Sequence, residues 1–271
     1  MRKTAVLIPA YNNQQGLEIC IGSIEEEPDV EFEFVIVDDG SSMPIRVNHI
    51  NNQRRINLVT LPENQGIIGA LNAGLRFCKD NAFDYIVRLD CDDYAGKGRL
   101  ESQITFLDEN PDYVLIGGQA QIFEEHPDQS ERLKIYPTSN DTLKKQMHKN
   151  SCFVHAGVAY RLDAVIKAGL YSNNYRHIED YELFMRLCKL GKVANLNQDV
   201  VFYKYDPNSI SQRHRSLQLA NSIRVMLKNF NFSLKESYIG VFLKLVLLCI
   251  PHVISTALKK KVLNNKGEQH A

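Results

Sequence analysis

FEFVIVDDGSS, residues 32–42, carries a β-rich apolar run straight into two aspartates and a Gly-Ser-Ser turn. Such a run bounded by turn residues reads as a strand with the chain reversing at its end. On its amino-terminal side lie a second apolar run, TAVLIPA (4–10), and a helix-like stretch, LEICIGSI (17–24). On its carboxyl-terminal side come INLVTL (56–61), GIIGALNAGLRFC (66–78) and YIVRL (85–89). Within 66–78, Ile67, Leu71, Leu75 and Cys78 recur at helical spacing, so that stretch reads as a helix between two strands. The alternation predicts a parallel sheet covered by helices on both faces. In open sheets of this kind ligands bind beyond the carboxyl ends of the strands. IPAYN, VDDGSS and DCDD each follow a strand and are expected along one edge.

The chain has 271 residues, 44% hydrophobic and 24% charged, enough for one large α/β domain or a domain with an appendage. Its formal charge is zero but unevenly placed. Residues 213–271 hold ten Lys/Arg against Glu236 and Glu268, a basic tail of about +8 facing a body of about −8. The six cysteines show no Cys-x-x-Cys and no zinc-ligand spacing, which suits reduced packing residues in a cytosolic protein. MRKTAVLIPAYNN lacks a signal-peptide pattern, so no export is expected. EEHPDQSE (124–131) reads as a loop rather than a domain linker.

Three acidic motifs carry the chemistry. In an extended segment, Asp90 and Asp92 flank Cys91 and point the same way, so both carboxylates can face one cation. Carboxylates completed by water and phosphate oxygens suit Mg²⁺ or Mn²⁺; the plain alternative is a solvated acidic turn. Of Asp38 and Asp39, one carboxylate can accept from a base N–H or ribose hydroxyl while the other supports the turn, and a turn alone would also explain DDGSS. In HIEDYELFMRLCKLGKV (177–193), Glu179 and Asp180 precede leucines at helical spacing. Acids there are helix caps, or else a general base for an acceptor hydroxyl.

AVLIPAYN, VIVDDGSS, ENQGIIGALNAGL, YIVRLDCDD and IEDYELFMRL occur in this order over about residues 3–210. In that order and spacing the chain resembles the family 2 glycosyltransferases, which have the GT-A fold and use nucleotide-diphosphate sugars. The resemblance implies a mostly parallel sheet flanked by helices, a nucleotide half followed by an acceptor half, and a helical C-terminal extension. The implied domains are 1–212, glycosyltransferase, and 213–271, extension. It further implies that Pro9, Ala10, Tyr11 and Asp39 line the nucleotide pocket, and that Asp92 is the main ligand of Mn²⁺ or Mg²⁺. Asp90 would hold ribose or metal, and Asp180 would be the base of an inverting transfer with Glu179 beside it. The expected partners are a UDP-sugar and a glycan acceptor, lipid-linked in bacterial O-antigen or capsule synthesis, with no nucleic acid, and with a homodimer as a further option.

VVFYKYDPNSISQRHR (200–215) departs from the family by offering Lys204 and Tyr205 where relatives often carry a basic residue or His, so no diphosphate contact is assigned there. His155 reads either as an acceptor-side residue or as a packed one, and Arg88 as a partner for the acidic cluster. A dehydrogenase or P-loop protein is excluded by the missing Gly-x-Gly-x-x-Gly and Gly-Lys-Ser/Thr. A sugar nucleotidyltransferase lacks its Gly-rich amino-terminal loop here; a non-catalytic sugar-nucleotide-binding relative is the remaining rival.

YIGVFLKLVLLCIPHVISTALKKK (238–261) is apolar but broken by Lys244 and by Pro251-His252, and its 14-residue uncharged run, Leu245 to Leu258, is short of the roughly 20 needed to span a bilayer. It is expected either to lie on an anionic membrane surface, peripheral on the inner face, or to pack on the body or a second subunit.

Overall fold

The computed structural model describes residues 2–24, 30–48, 50, 54–123, 126–130, 135–204 and 214–250. Strand β1 (Thr4–Ala10) is buried at all seven positions. A strand covered on both faces needs apolar residues at every position, which is why TAVLIPA reads as a continuous run. β2 (Phe32–Asp38) pairs with it in parallel, Ala10 opposite Asp38, and β3 (Ile56–Thr60) extends that side as the edge. On the other side of β1, β4 (Tyr85–Arg88) is also parallel, with Leu7 opposite Arg88. These four strands are the predicted parallel half, and their carboxyl ends lie on one edge.

The second half is mixed. β5 (Tyr94–Ala95) is two residues long, β6 (Tyr113–Phe123) eleven, β7 (Ala159–Arg161) three and β8 (Lys192–Lys204) thirteen. β7 is antiparallel to both β4 and β6, β8 is parallel to β6, and β5 is antiparallel to β8, giving the order β3-β2-β1-β4-β7-β6-β8-β5.

Alternate side chains of the strands supply two cores. On one face Val6, Ile8, Phe34 and Ile36 pack with α1 (Gln14–Gly22) and α3 (Arg99–Glu109). On the other, Leu7, Val35 and Val37 pack with α2 (Gly66–Asp80), α5 (Leu162–Ala168) and α6 (Glu179–Leu190), while the short α4 (Asn140–Gln146) adds Leu143. Leu183, Phe184 and Leu187 fasten α6 to that core, so its first turn is held over the strand ends. Helices α7 (Arg215–Lys228) and α8 (Lys235–Cys249) follow, with Val225 and Met226 of α7 joining the same core. Tyr205 to Arg213, and residues 251–271 with Pro251-His252 and Lys259–Lys261, lie outside the described residues.

Candidate active site

The ends of β1 and β2 are stitched together. Asp39 N donates to Ala10 O (2.9 Å), Asn12 N to Ser41 Oγ (2.9 Å) and Ser42 N to Asn12 Oδ1 (2.9 Å). Asp38 carries the turn: its two carboxylate oxygens accept from Ser41 N and Ile45 N, each at 3.0 Å. Gly40 sits at φ 67°, and a Cβ there would stand 2.4 Å from the Glu63 carbonyl carbon, so this turn requires glycine. Asp39 is turned away from that task. Its Oδ1 accepts from Gln65 N at 2.8 Å, joining the β2 turn to the start of α2. Burial pushes its carboxyl above the ordinary value, against the backbone N–H groups of Gln65 and Gly66. Tyr11, 49% exposed, follows Pro9 and Ala10 at the neighbouring strand end. A cavity of about 460 Å³ beside these loops is lined by Asn12 to Gln14 and Ser42 to Arg46. No candidate carboxylate lines it, so the strand ends, and not this cavity, define the site.

At the end of β4 the acidic run is a turn and not an extended segment. The strand stops at Arg88, and Asp93 N donates to Asp90 O at 3.2 Å. The geometric basis expected for Asp90 and Asp92 facing one way therefore does not hold, because the backbone reverses there. Arg88 is fully buried, and its Nη2 lies 2.5 Å from Asp90 Oδ1. Its Nη1 donates to the carbonyls of Leu89 and Leu7. Burial alone would raise the Asp90 carboxyl, but the Arg88 charge and hydrogen bond hold it below the ordinary value. Asp92 is exposed at the tip of the turn and Asp93 is buried. Burial, and then the charges of Asp90 and Asp92, push the Asp93 carboxyl well up.

The donor set fits a hard divalent cation: oxygen ligands only, in a turn whose carboxylates repel one another, with one of them open to solvent. Among the described residues no three His, Cys, Asp or Glu side chains group as a metal cage. One or two carboxylates are what an ion completed by phosphate oxygens and water needs.

Opposite this turn stands the amino terminus of α6. Ile178 precedes it with no side-chain cap, and Glu179, Asp180 and Glu182 fill the first turn. Burial raises the Asp180 carboxyl, the Asp90 charge adds to that, and backbone N–H groups and the Arg88 charge oppose it. Glu179 is pushed to about 7, first by burial and then by Asp180. Its Oε2 is buried without a hydrogen-bond partner among the described residues. The mutual influence of Asp90, Arg88 and Asp180 brings two motifs about ninety residues apart in sequence to one place.

His155 and Tyr171 lie near these groups, His155 feeling the charges of Arg88 and Asp90 and Tyr171 those of Arg88 and Asp180. His155 Nε2 lies 2.8 Å from the Tyr171 hydroxyl, which is 3.4 Å from that of Tyr160. Burial, and then the Arg88 charge, push the His155 imidazole down to about 3, with Asp90 opposing, so the ring is neutral near pH 7. It packs against Phe184 of α6 and is a wall of the site, not a cation.

Two supporting groups had no sequence signal. Buried Arg99 donates to the carbonyls of Ala156 and Arg88, both at 3.0 Å, and Gln103 donates to that of Gly157 at 2.8 Å. Together they brace the 155–157 turn against the end of β4. At the start of a helix, RLESQ reads as solvated polar residues. The second group is α7, where Gln218 donates to His177 O (3.1 Å), Asn221 to Arg176 O (3.0 Å), and His214 stacks on His177 at 4.3 Å. α7 thus clasps the loop that leads into Glu179 and Asp180.

The profile described as glycosyl transferase family 2 matches residues 5–169. The amylovoran biosynthesis glycosyltransferase AmsE of Erwinia amylovora is 33% identical over 239 residues, covering 86% of this chain and 87% of its own length. An Escherichia coli UDP-Gal:alpha-D-GlcNAc-diphosphoundecaprenol beta-1,3-galactosyltransferase is 25% identical, with 96% of each chain covered. Among solved structures, the mannosyltransferase PcManGT of Pyrobaculum calidifontis, in complex with GDP-Man and Mn²⁺, superposes with a TM-score of 0.62 at 14% identity, covering 92% of this chain and 70% of that one, and it speaks for the fold alone. With the profile spanning more than half of its residues and a 33% identical relative covered almost end to end, the chain belongs to glycosyl transferase family 2 and has the GT-A fold.

Proposed function

We propose that the protein is an inverting transferase that moves a sugar from a nucleotide-diphosphate donor, a UDP-sugar by preference, to a hydroxyl of a lipid-linked glycan in bacterial surface-polysaccharide assembly. The observation that supports this reading is that Asp180, on the first turn of α6, lies within electrostatic reach of the Arg88–Asp90 pair at the end of β4. The donor and acceptor classes follow the printed activity of the Escherichia coli relative, and the polysaccharide context follows AmsE. Residues 1–212 would form the catalytic unit and 213–271 the extension.

Tyr11, 49% exposed, offers its ring to the base with buried Pro9 and Ala10 behind it, and Asp39 would offer its second carboxylate oxygen to a base N–H. Asp92, with Asp90 beside it, would hold Mn²⁺ or Mg²⁺, as the PcManGT complex does with Mn²⁺ somewhere on the same fold. A divalent cation held there neutralises the charge that develops on the departing diphosphate. Asp180 takes the acceptor proton, and inversion requires that base on the sugar face opposite the leaving group. Burial raises its carboxyl above the ordinary value, which makes its ionised form a better proton acceptor than an ordinary aspartate. Arg88 fixes the Asp90 turn, and neutral His155 closes the wall without competing for diphosphate.

The test is a hydrolysis screen of the purified protein against UDP-, GDP- and dTDP-sugars with and without Mn²⁺. Metal-dependent turnover of one class is the expected result. Binding without turnover of any donor, with or without acceptor, would favour a non-catalytic sugar-nucleotide-binding role.

A further inference from the structure

α8 is docked through Ser237, Gly240, Val241 and Lys244. Buried Ser237 places its hydroxyl 3.0 Å from His148 Nδ1, and Lys244 Nζ donates to Asn150 Oδ1 at 2.6 Å. Gly240 lies so close to the body that a Cβ would stand 2.1 Å from the His148 carbonyl oxygen. The opposite side carries Ile239, Phe242, Leu243 and Val246, between 38% and 65% exposed, with Tyr238 beside them. Lys235, Ile239, Phe242 and Val246 fall on one line at helical spacing. A helix on a water-facing surface turns most of its apolar residues inward; this one leaves Ile239, Phe242, Leu243 and Val246 outward, which marks a face made for an apolar partner.

Charge selects the partner. Residues 214–250 carry five Lys/Arg against Glu236, and the sequence beyond α8 adds Lys259, Lys260, Lys261 and Lys266 against Glu268. Two copies meeting here would set two segments of net basic charge against each other, whereas an anionic lipid surface attracts them. At 15 residues α8 is about 22 Å long, and no helix among the described residues is long and apolar enough to cross a membrane. It can lie in the plane of the interface.

We infer that the outer face of α8 seats in the headgroup boundary of an anionic bilayer and sets the acceptor side of the site against it. The second clause rests on the lipid-linked acceptor proposed above; the first stands without it. The link to the site is continuous. Arg215, at the start of α7, donates to the carbonyls of Leu247 (2.7 Å) and Ile250 (3.3 Å) at the end of α8. Its neighbour His214 stacks on His177, three residues before Asp180.

The experiment sediments the full chain with vesicles of phosphatidylcholine alone and of equal parts phosphatidylcholine and phosphatidylglycerol, at low and high salt. Wild type is expected on the anionic vesicles, less so at high salt. The double variant Phe242→Glu, Val246→Glu is expected to lose about tenfold or more of that binding. Its melting curve and donor hydrolysis should match wild type, because both side chains already face water. Wild type left in the supernatant, or equal binding by the variant, overturns the inference. So does a wild-type dimer that the variant dissociates without any vesicle binding, which would assign the face to a second copy. Vesicle binding intact with transfer only to water-soluble acceptors would instead defeat the lipid-linked reading and leave this one standing.

Discussion

Arg88 and Asp90 form an ion pair of 2.5 Å in which the guanidinium is fully buried and the carboxylate is 38% exposed. The two partners are therefore not equivalent. Removing Asp90 strands a cation in the core, whereas removing Arg88 leaves a carboxylate that water can reach. Asp90→Asn is predicted to cost roughly 2–4 kcal/mol, and Arg88→Met, which fills the same volume, only about 1 kcal/mol once solvent screening of Asp90 is allowed for. Denaturant unfolding of both variants decides this, and equal losses would show that the asymmetry of burial is immaterial.

Asp92 is exposed in the same turn, where a surface interaction contributes little to stability. Asp92→Asn is predicted to keep the wild-type melting curve, to lose most activity, and to weaken nucleotide binding only when metal is present. Asp90→Asn should disturb metal-dependent binding less while lowering the melting temperature. Full activity in EDTA would remove the metal from the account.

Asp39→Ala is predicted to raise the donor KM or dissociation constant more than it lowers kcat, because a base contact is made equally in ground and transition states. The variant also frees Gln65 N from its 2.8 Å hydrogen bond, so some loss of stability accompanies it. If free nucleotide binds the variant as tightly as wild type, Asp39 only braces α2.

Glu179 gives a pH signature. Its folded pKa of about 7 lies above the ordinary 4.5, so the folded state binds this proton more tightly than the unfolded chain does. The stability so gained is complete below about pH 4.5 and is lost as pH rises through about 7. Glu179→Gln, which cannot ionise, is therefore predicted to melt progressively higher than wild type as pH rises from about 5 to 8. A melting difference that stays flat over that range would mean Glu179 is solvated.

The nucleotide half was legible because β1, β2 and β4 are largely buried on both faces. TAVLIPA and the VIV of FEFVIV are continuous apolar runs, and YIVRL ends where its acidic turn begins. That one aspartate of the Asp38–Asp39 pair supports the turn also followed from Asp-Gly-Ser chemistry, and the hydrogen bonds to Ser41 N and Ile45 N show it is Asp38. The mixed half was not legible. β5 spans Tyr94–Ala95 and β7 Ala159–Arg161, too short for any periodicity, and their pairing is set by tertiary packing. Arg99 could not be recognised as buried, since its partners are carbonyls more than fifty residues away and in β4. The side on which α8 docks was hidden for a related reason. Beside Val241, its contacts use Ser237, Gly240 and Lys244, residues that pattern reading places in water.

The most direct test of the central claim is single-turnover sugar transfer by Asp180→Asn, measured with a melting curve and a donor titration. Asn keeps the size and much of the hydrogen-bonding capacity of Asp at a helix start, but it cannot take a proton at neutral pH. The account predicts a folded variant that binds nucleotide sugar and metal as wild type does and transfers about 10² or more times slower. Transfer at close to the wild-type rate would contradict it, reducing Asp180 to a helix-end residue and moving the base to Glu179.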